Sequence, residues 1–255
     1  MRYREFGSEN AESIILLHGG AMSWWNYRAE AEMLKGDYHV IIPFLDGHAG
    51  SDRPFSSIES NAQEIIAFIN ERLNGSVLLI GGLSLGGQIL LEMLSQRGDI
   101  CRHALVESAM VIPSPITGAL IRPAFGSSYF LIRQRWFAGM QFRQYHIKAE
   151  FFEDYYRDTC AVRREDMIAF LRANTAYSLK DNIKNCSAGV HIYYGEKETR
   201  GIKKSAQLIC SAIPSCTAAE LPGMYHGGLS FNHPGDYVKI IRDICRVGEI
   251  QACRL

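Results

Sequence analysis

Val77-Leu78-Leu79-Ile80-Gly81-Gly82-Leu83-Ser84-Leu85-Gly86-Gly87 is the stretch that organises this chain. The apolar run 77–80 reads as a buried strand. Residues 85–97 read as a helix, with Gly98 where a C′ glycine would end it. Between them stands G-x-S-x-G, carried by Gly82, Ser84 and Gly86. The string alone is common, because Gly and Ser are common residues. Its setting makes it specific: a strand runs into the turn and a helix leaves it, as a nucleophile elbow requires. Gly82 and Gly86 leave room where a Cβ would clash, and a helix N-terminus favours developing negative charge. Ser84 is the candidate nucleophile. The plainer alternative is a glycine-rich strand-to-helix turn with a capping serine.

Outward from this turn, apolar runs alternate with amphipathic segments. Ser13–Leu17 and 38–43 precede it as strands, with a helix over 24–34 and another over 58–73. Ala62, Ile65, Ile66, Ile69 and Leu73 give the second helix its core-facing stripe, and Ser56 with Glu59 has capping-box spacing. A strand closes at 104–107. The runs are continuously apolar rather than alternating, which suits parallel strands covered on both faces. Strand–helix–strand repetition predicts right-handed crossovers and a doubly wound, mostly parallel α/β sheet.

The alternation stops over 111–186. Pro113, Pro115 and Pro123 punctuate its start, and helical segments over 128–140, 144–156 and 165–174 follow. These 76 residues hold 13 of the chain's 27 aromatics, and 11 Lys/Arg against 7 Asp/Glu. The segment reads as a helical cap inserted into a core formed by 1–110 and 187–255. Most of its aromatics are expected to pack the insertion onto the sheet. Arg133 and Arg135 read as solvated charge before they read as substrate contacts. Strand 190–194, a helix near 202–213, strand 217–221 and a last helix from Pro234 to about Val247 complete the core.

A serine hydroxyl needs a base. His226 lies in a glycine-rich loop, Pro222-Gly223-Met224-Tyr225-His226-Gly227-Gly228, between the last strand and the last helix. That position follows the chain order serine, acid, histidine. His233 is the weaker candidate, next to the helix-starting Pro234. The acid is expected after strand 190–194, in Gly195-Glu196-Lys197-Glu198. Glu198 is the choice over Glu196, with Glu107 as the alternative acid at the end of an earlier strand. His18-Gly19-Gly20 ends the first strong strand. Its loop would supply one oxyanion N–H, from Gly20 or Ala21, and Leu85 the other.

The composition is that of a globular protein: 47% hydrophobic, 21% charged, and 27 basic residues against 27 acidic ones. This balance gives no sign of a nucleic-acid partner. The N-terminus lacks the apolar core of a secretory signal, and no apolar run approaches membrane-spanning length. The seven cysteines, Cys253 the last of them, form no CxxC pair and read as reduced, mostly buried thiols in a cytoplasmic protein.

On the motifs His18–Gly20, Asp46–Ser51 (DGHAGS), Gly82–Gly87, Gly195–Glu198 and the His226 loop, the chain resembles the α/β-hydrolase superfamily, in its cap-containing serine hydrolase branch. The resemblance runs from about Tyr3 to Val247. It implies an eight-stranded sheet with a cap after the sixth strand, no cofactor and no metal. It implies that the Asp46–Ser51 loop is structural, so that His48 is no catalyst. Many relatives end the GEKE-like motif in aspartate, and Glu198 departs from that, which keeps Glu107 in play. The expected activity is hydrolysis of a small carboxylic ester with an apolar acyl or aromatic group. C–C bond hydrolysis and thioester hydrolysis would use the same triad. Perhydrolase chemistry, and a ligand-binding receptor or scaffold on the same fold, are further readings. Oligomeric state is not legible.

Overall fold

In the computed structural model, the described residues are 1–252, with side chains described through Arg246; Cys253 lies outside them. Seven strands form one sheet: β1 (Tyr3–Phe6), β2 (Ser13–Leu17), β3 (His39–Pro43), β4 (Val77–Leu83), β5 (Cys101–Glu107), β6 (Gly189–Gly195) and β7 (Cys216–Leu221). Their order is β1-β3-β2-β4-β5-β6-β7. Only β1 runs antiparallel, against β3. The expected count of eight is corrected to seven among the described residues. Between β1 and β2 the chain has only residues 7–12, and Gly7 turns it sharply at φ +80°. That leaves no length for another strand.

Alternate residues of the inner strands feed two separate cores. Ile15, Leu17, Ile80, Ala104 and Val106 pack into one layer; Ile14, Leu16, Leu79 and Leu105 pack into the other. All nine are buried. Each large aliphatic among them contributes about 1.5–3 kcal/mol by burial. This two-sided burial is why the strands read as continuous apolar runs. The first layer is covered by α2 (Ile58–Arg72), α3 (Leu85–Gln96) and α8 (Arg200–Ala212), the second by α1 (Arg28–Leu34) and α10 (Pro234–Ala252).

Several local expectations shift. The helix over 24–34 begins as a 3-10 turn at Trp24–Tyr27. The cap of α2 is Ser57, whose Oγ accepts from Ser60 N at 3.0 Å, one residue after the expected Ser56. Gly98 lies beyond α3 without a left-handed backbone; a Cβ there would come within 2.6 Å of Asn185 O, so closeness to 185–186 requires the glycine. Cys210 and Cys216 are joined by a disulfide, with Cα atoms 4.9 Å apart. The reading of these two as reduced thiols is thereby corrected; the spacing reflects the turn from α8 into β7.

Between β5 and β6 the chain is helical: α4 (Pro115–Ser128), α5 (Arg135–Gln144), α6 (Phe152–Ala161) and α7 (Arg164–Ala176). Pro115 does not break α4 but starts it, where no N–H is needed. Pro123 sits inside the same helix, contrary to its reading as punctuation. The insertion therefore follows the fifth described strand. It is tied to the core by polar contacts: Trp25 Nε1 donates to Asp158 Oδ2 at 2.9 Å, and Phe55 N to Asp166 Oδ1 at 2.9 Å. Phe142, Tyr155, Phe170 and Tyr177 are buried, while Phe130 and Trp136 are exposed. Arg135 is held by Glu153 and lies over the rings of Phe152 and Tyr156, a surface role as expected. Among the described residues no helix is long and apolar enough to cross a membrane.

Candidate active site

The parallel register brings the C-terminal ends of β2, β4, β5 and β6 to one edge of the sheet. Leu17 pairs with Gly82, Leu83 with Glu107, and Glu107 with Tyr193. Loops leaving these ends, and the loop after β7 that carries His226, hold the predicted site residues, with Glu107 itself the last residue of β5.

Ser84 joins β4 to α3 with φ +52° and ψ −110°, outside the ordinary regions for a side-chain-bearing residue. Its N–H donates to Glu107 O at 2.8 Å, which fixes the turn against β5. The turn is tight because glycines permit it. A Cβ on Gly82 would lie 2.5 Å from Gly86 O, and one on Gly86 would overlap the Leu17 carbonyl. The strain presents the hydroxyl to a cavity of about 180 Å³ lined also by Gly20, Ala21, Leu85 and His226.

The loop after β2 is held in turn. Gly19 N donates to Asn26 Oδ1 at 3.2 Å, Met22 N donates to Gly19 O at 3.2 Å, and Ala21 takes a left-handed φ of +60°. Among the described residues, the N–H groups of Gly20, Ala21 and Leu85 have no protein acceptor. His18 supports this loop from beneath: its ring bonds Gly19 O at 3.0 Å and accepts from Leu45 N at 3.3 Å. Burial, and then the neighbouring His48, lower its pKa to about 3, so it stays neutral. His48 stacks on Phe170 with centroids 4.4 Å apart, and burial lowers its pKa to about 4. Both are packing histidines.

His226 and Glu198 meet. His226 Nδ1 lies 2.8 Å from Glu198 Oε2. A carboxylate only accepts, so Nδ1 carries the proton and Nε2 is left as the acceptor. Gly195 N donates to Glu198 Oε1 at 3.2 Å, and the Ser108 hydroxyl donates to the same oxygen. Burial alone would raise the Glu198 pKa, but the His226 hydrogen bond and charge, then Ser108 and Gly195, hold it below the usual carboxylate value. The position of His226 below the surface works against its charge, but Glu198 outweighs this and raises the imidazole pKa above 6.5. The side chain still keeps 43% of its surface open. Ser84 and His226 face the same two cavities, yet among the described residues no hydrogen bond joins them. Such contacts are often long before substrate binds.

Glu107, the alternative acid, is engaged elsewhere. Its Oε1 accepts from Leu229 N at 3.0 Å and Ser230 N at 3.3 Å, at the start of the short helix α9 (Gly228–Asn232). Burial raises its pKa to about 7, against the opposing pull of Ser230 and His226. His233 has its ring near Asp236 at 3.5 Å, beside the start of α10, and lines neither cavity.

A model of the alpha/beta hydrolase family matches residues 14–240. The chain belongs to the alpha/beta hydrolase family. Its relatives include "Lipase 1" of Psychrobacter immobilis, 30% identical over 129 residues, which are 48% of this chain and 40% of the lipase. The match thus spans well under half of that protein's length. Among solved structures, a thermophilic esterase from Thermogutta terrifontis is 18% identical with TM-score 0.77, over 96% of this chain and 92% of that one. An esterase from Rhodococcus sp. is 19% identical with TM-score 0.78, over 96% and 94%. The enol-lactonase of Burkholderia xenovorans is 16% identical with TM-score 0.79, over 95% of each chain.

Two contacts at the site were not legible in sequence. Ser108, with a left-handed φ of +57°, braces Glu198, and its Oγ accepts from Gly227 N at 3.4 Å. Gln88 and Asn174 pair across the fold: Gln88 Nε2 donates to Asn174 O at 3.0 Å, and Asn174 Nδ2 returns a bond to Gln88 Oε1 at 3.0 Å. This locks α7 to the helix behind Ser84. Ser108 directly follows Glu107 at a strand end, which is the one sequence signal that pointed near it. Among the described residues no group of His, Cys, Asp and Glu is arranged to hold a metal.

Proposed function

We propose that this chain is a serine carboxylesterase, with Ser84 as nucleophile, His226 as general base and Glu198 as the acid that orients it. The Glu198–His226 hydrogen bond beside the strained Ser84 turn carries the reading. Ser84 Oγ attacks the ester carbonyl carbon while His226 Nε2 takes its proton. The carbonyl oxygen gains the charge and accepts from Leu85 N and from Gly20 N or Ala21 N. The intermediate collapses, and His226 returns the proton to the departing alkoxide. Water then adds to the acyl-enzyme with His226 as base, releasing the acid and restoring Ser84. No cofactor enters this sequence. The helices between β5 and β6 act as a cap over the site, since Tyr145, Phe170, Leu171 and Asn174 wall the cavity beside Ser84. The substrate is a small molecule, of a size suited to the two chambers of about 180 and 530 Å³ that meet at Ser84.

The test is turnover of p-nitrophenyl esters from acetyl to octanoyl, comparing wild type with Ser84→Ala. Turnover lost in the variant is the expected result. No wild-type turnover at any chain length would withdraw the ester assignment.

A further inference from the structure

Two chambers of unequal size meet at Ser84 and His226. The smaller, about 180 Å³, is floored by the Gly20–Ala21 loop and Leu85 and walled by Met22, Phe170 and Leu171. No Lys, Arg, Asp or Glu lines it. The larger, about 530 Å³, runs past Met110, Ile112 and Ile202 and is bordered by the loops that carry Glu198 and His226. At its mouth the Tyr225 ring stacks on His146 at 3.8 Å, and Lys197 Nζ lies 4.7 Å from the same ring. Its only carboxylate, Glu198, is already engaged by His226.

Resting on the esterase reading, we infer that the substrate is an asymmetric ester: a short apolar acyl group joined to a larger, partly aromatic alcohol without positive charge. The assignment of halves follows from the tetrahedral intermediate. Its carbon carries Ser84 Oγ, the oxyanion, the acyl carbon and the leaving oxygen. The oxyanion must sit at the N–H groups on the small-chamber floor. The leaving oxygen must face His226 Nε2 to receive its proton. His226 lines both chambers, but Tyr225 beside it and the acid loop line only the large one, so the alcohol occupies that side and the acyl group the other. The small chamber has about a third of the volume of the large one, so the acyl group is the shorter half of the ester. In the large chamber the apolar wall of Met110, Ile112 and Ile202 takes the body of the alcohol, and the rings of Tyr225 and His146 in its lining favour a partly aromatic one. Among the described residues Lys197 is the one Lys or Arg lining that chamber, and Glu198 is already paired, so a cationic alcohol is disfavoured.

A pair of isomers tests this directly. Phenethyl butanoate and ethyl 4-phenylbutanoate share formula, bond type and alcohol acidity, and differ in which side of the ester carries the ring. The wild-type full chain is expected to prefer phenethyl butanoate by about tenfold or more in kcat/KM, since each misplaced methylene group costs that much or more in a fitted pocket. Leu171→Ala, which enlarges the small chamber, should lower the ratio several-fold, and so should Ile202→Trp, which fills the large one. Thermal unfolding of both variants checks that they fold. Equal rates, a reversed ratio, or a ratio unmoved by both folded variants would overturn the inference. So would turnover of p-nitrophenyl acetate with neither isomer accepted. No turnover of any ester, p-nitrophenyl acetate included, would remove the esterase reading and this inference with it.

Discussion

Glu107 ends β5 and Glu198 lies in the loop just beyond β6; Glu107 is about 1% exposed, and so is the side chain of Glu198. Burial alone would raise both pKa values. At Glu198 three donors converge on two oxygens: the His226 ring, the Ser108 hydroxyl and the Gly195 N–H. At Glu107 two backbone N–H groups converge on Oε1, and Oε2 has no partner among the described residues. Donors outweigh burial at the first, and burial outweighs donors at the second. The difference teaches that position at a strand end does not make a catalytic acid. The donors that face the carboxylate, and the histidine it meets, do so.

The largest effect should separate the two residues by activity. Glu198→Gln should lower kcat/KM by on the order of 10³-fold, because a neutral amide no longer holds the imidazolium or selects the Nδ1–H tautomer. Glu107→Gln should stay within a few-fold of wild type, since its Oε1 acceptor survives. Parallel kinetics on one p-nitrophenyl ester would measure both; a larger loss at Glu107 would reverse the assignment. The pH profile sharpens the same contrast. His226 must be neutral to act as base, and Glu198 raises its pKa, so the wild-type acid limb of kcat/KM should lie above pH 6.5. In Glu198→Gln that limb should move down. An unmoved limb would mean that another group titrates there.

The next effect is on stability, and its sign is opposite to that of a paired carboxylate. Glu107 has a pKa near 7 in the fold against 4.5 unfolded. Between these values the unfolded chain binds fewer protons than the native one, so stability falls as pH rises through the window. The full shift corresponds to roughly 3 kcal/mol, treated as an upper bound. Urea unfolding from pH 4.5 to 8 should show the decline in wild type and a flatter curve in Glu107→Gln. Equal slopes would place the proton elsewhere.

Much of the site around this contrast was legible in the sequence. The strand-to-helix setting of Ser84 and the loop positions of His226 and Glu198 are local signals, and local signals survive without a partner. Loop position favoured Glu198 and left Glu107 as the alternative; the donors that distinguish them, which face each carboxylate across β5, β6 and the histidine loop, were not legible. The bonds from Ser108 to Glu198 and from Gln88 to Asn174 link residues 90 and 86 positions apart. No periodicity encodes such pairs. The prolines of α4 misled for a different reason. Pro115 is favourable at a helix start, and its cost arises only in the interior, where Pro123 stands. The eighth strand belonged to the family resemblance; the described residues form a sheet of seven.

The smallest expected effect tests whether donors, rather than the histidine alone, set the state of Glu198. Ser108→Ala removes one hydroxyl donor and keeps a small side chain at φ +57°. Glu198 would retain His226 and the Gly195 N–H, so kcat/KM should fall only about fivefold, on the order of 1 kcal/mol. The sign of the pH shift distinguishes this from losing the acid. A carboxylate with one donor fewer is more basic and holds the imidazolium at least as firmly. The acid limb should therefore stay or move slightly up, where Glu198→Gln moves it down. A loss as large as that of Glu198→Gln, with a limb moving down, would mean that Ser108 is what keeps the carboxylate pointed at His226. In that case the two strand ends would differ by one serine placed between them, more than by the carboxylates themselves.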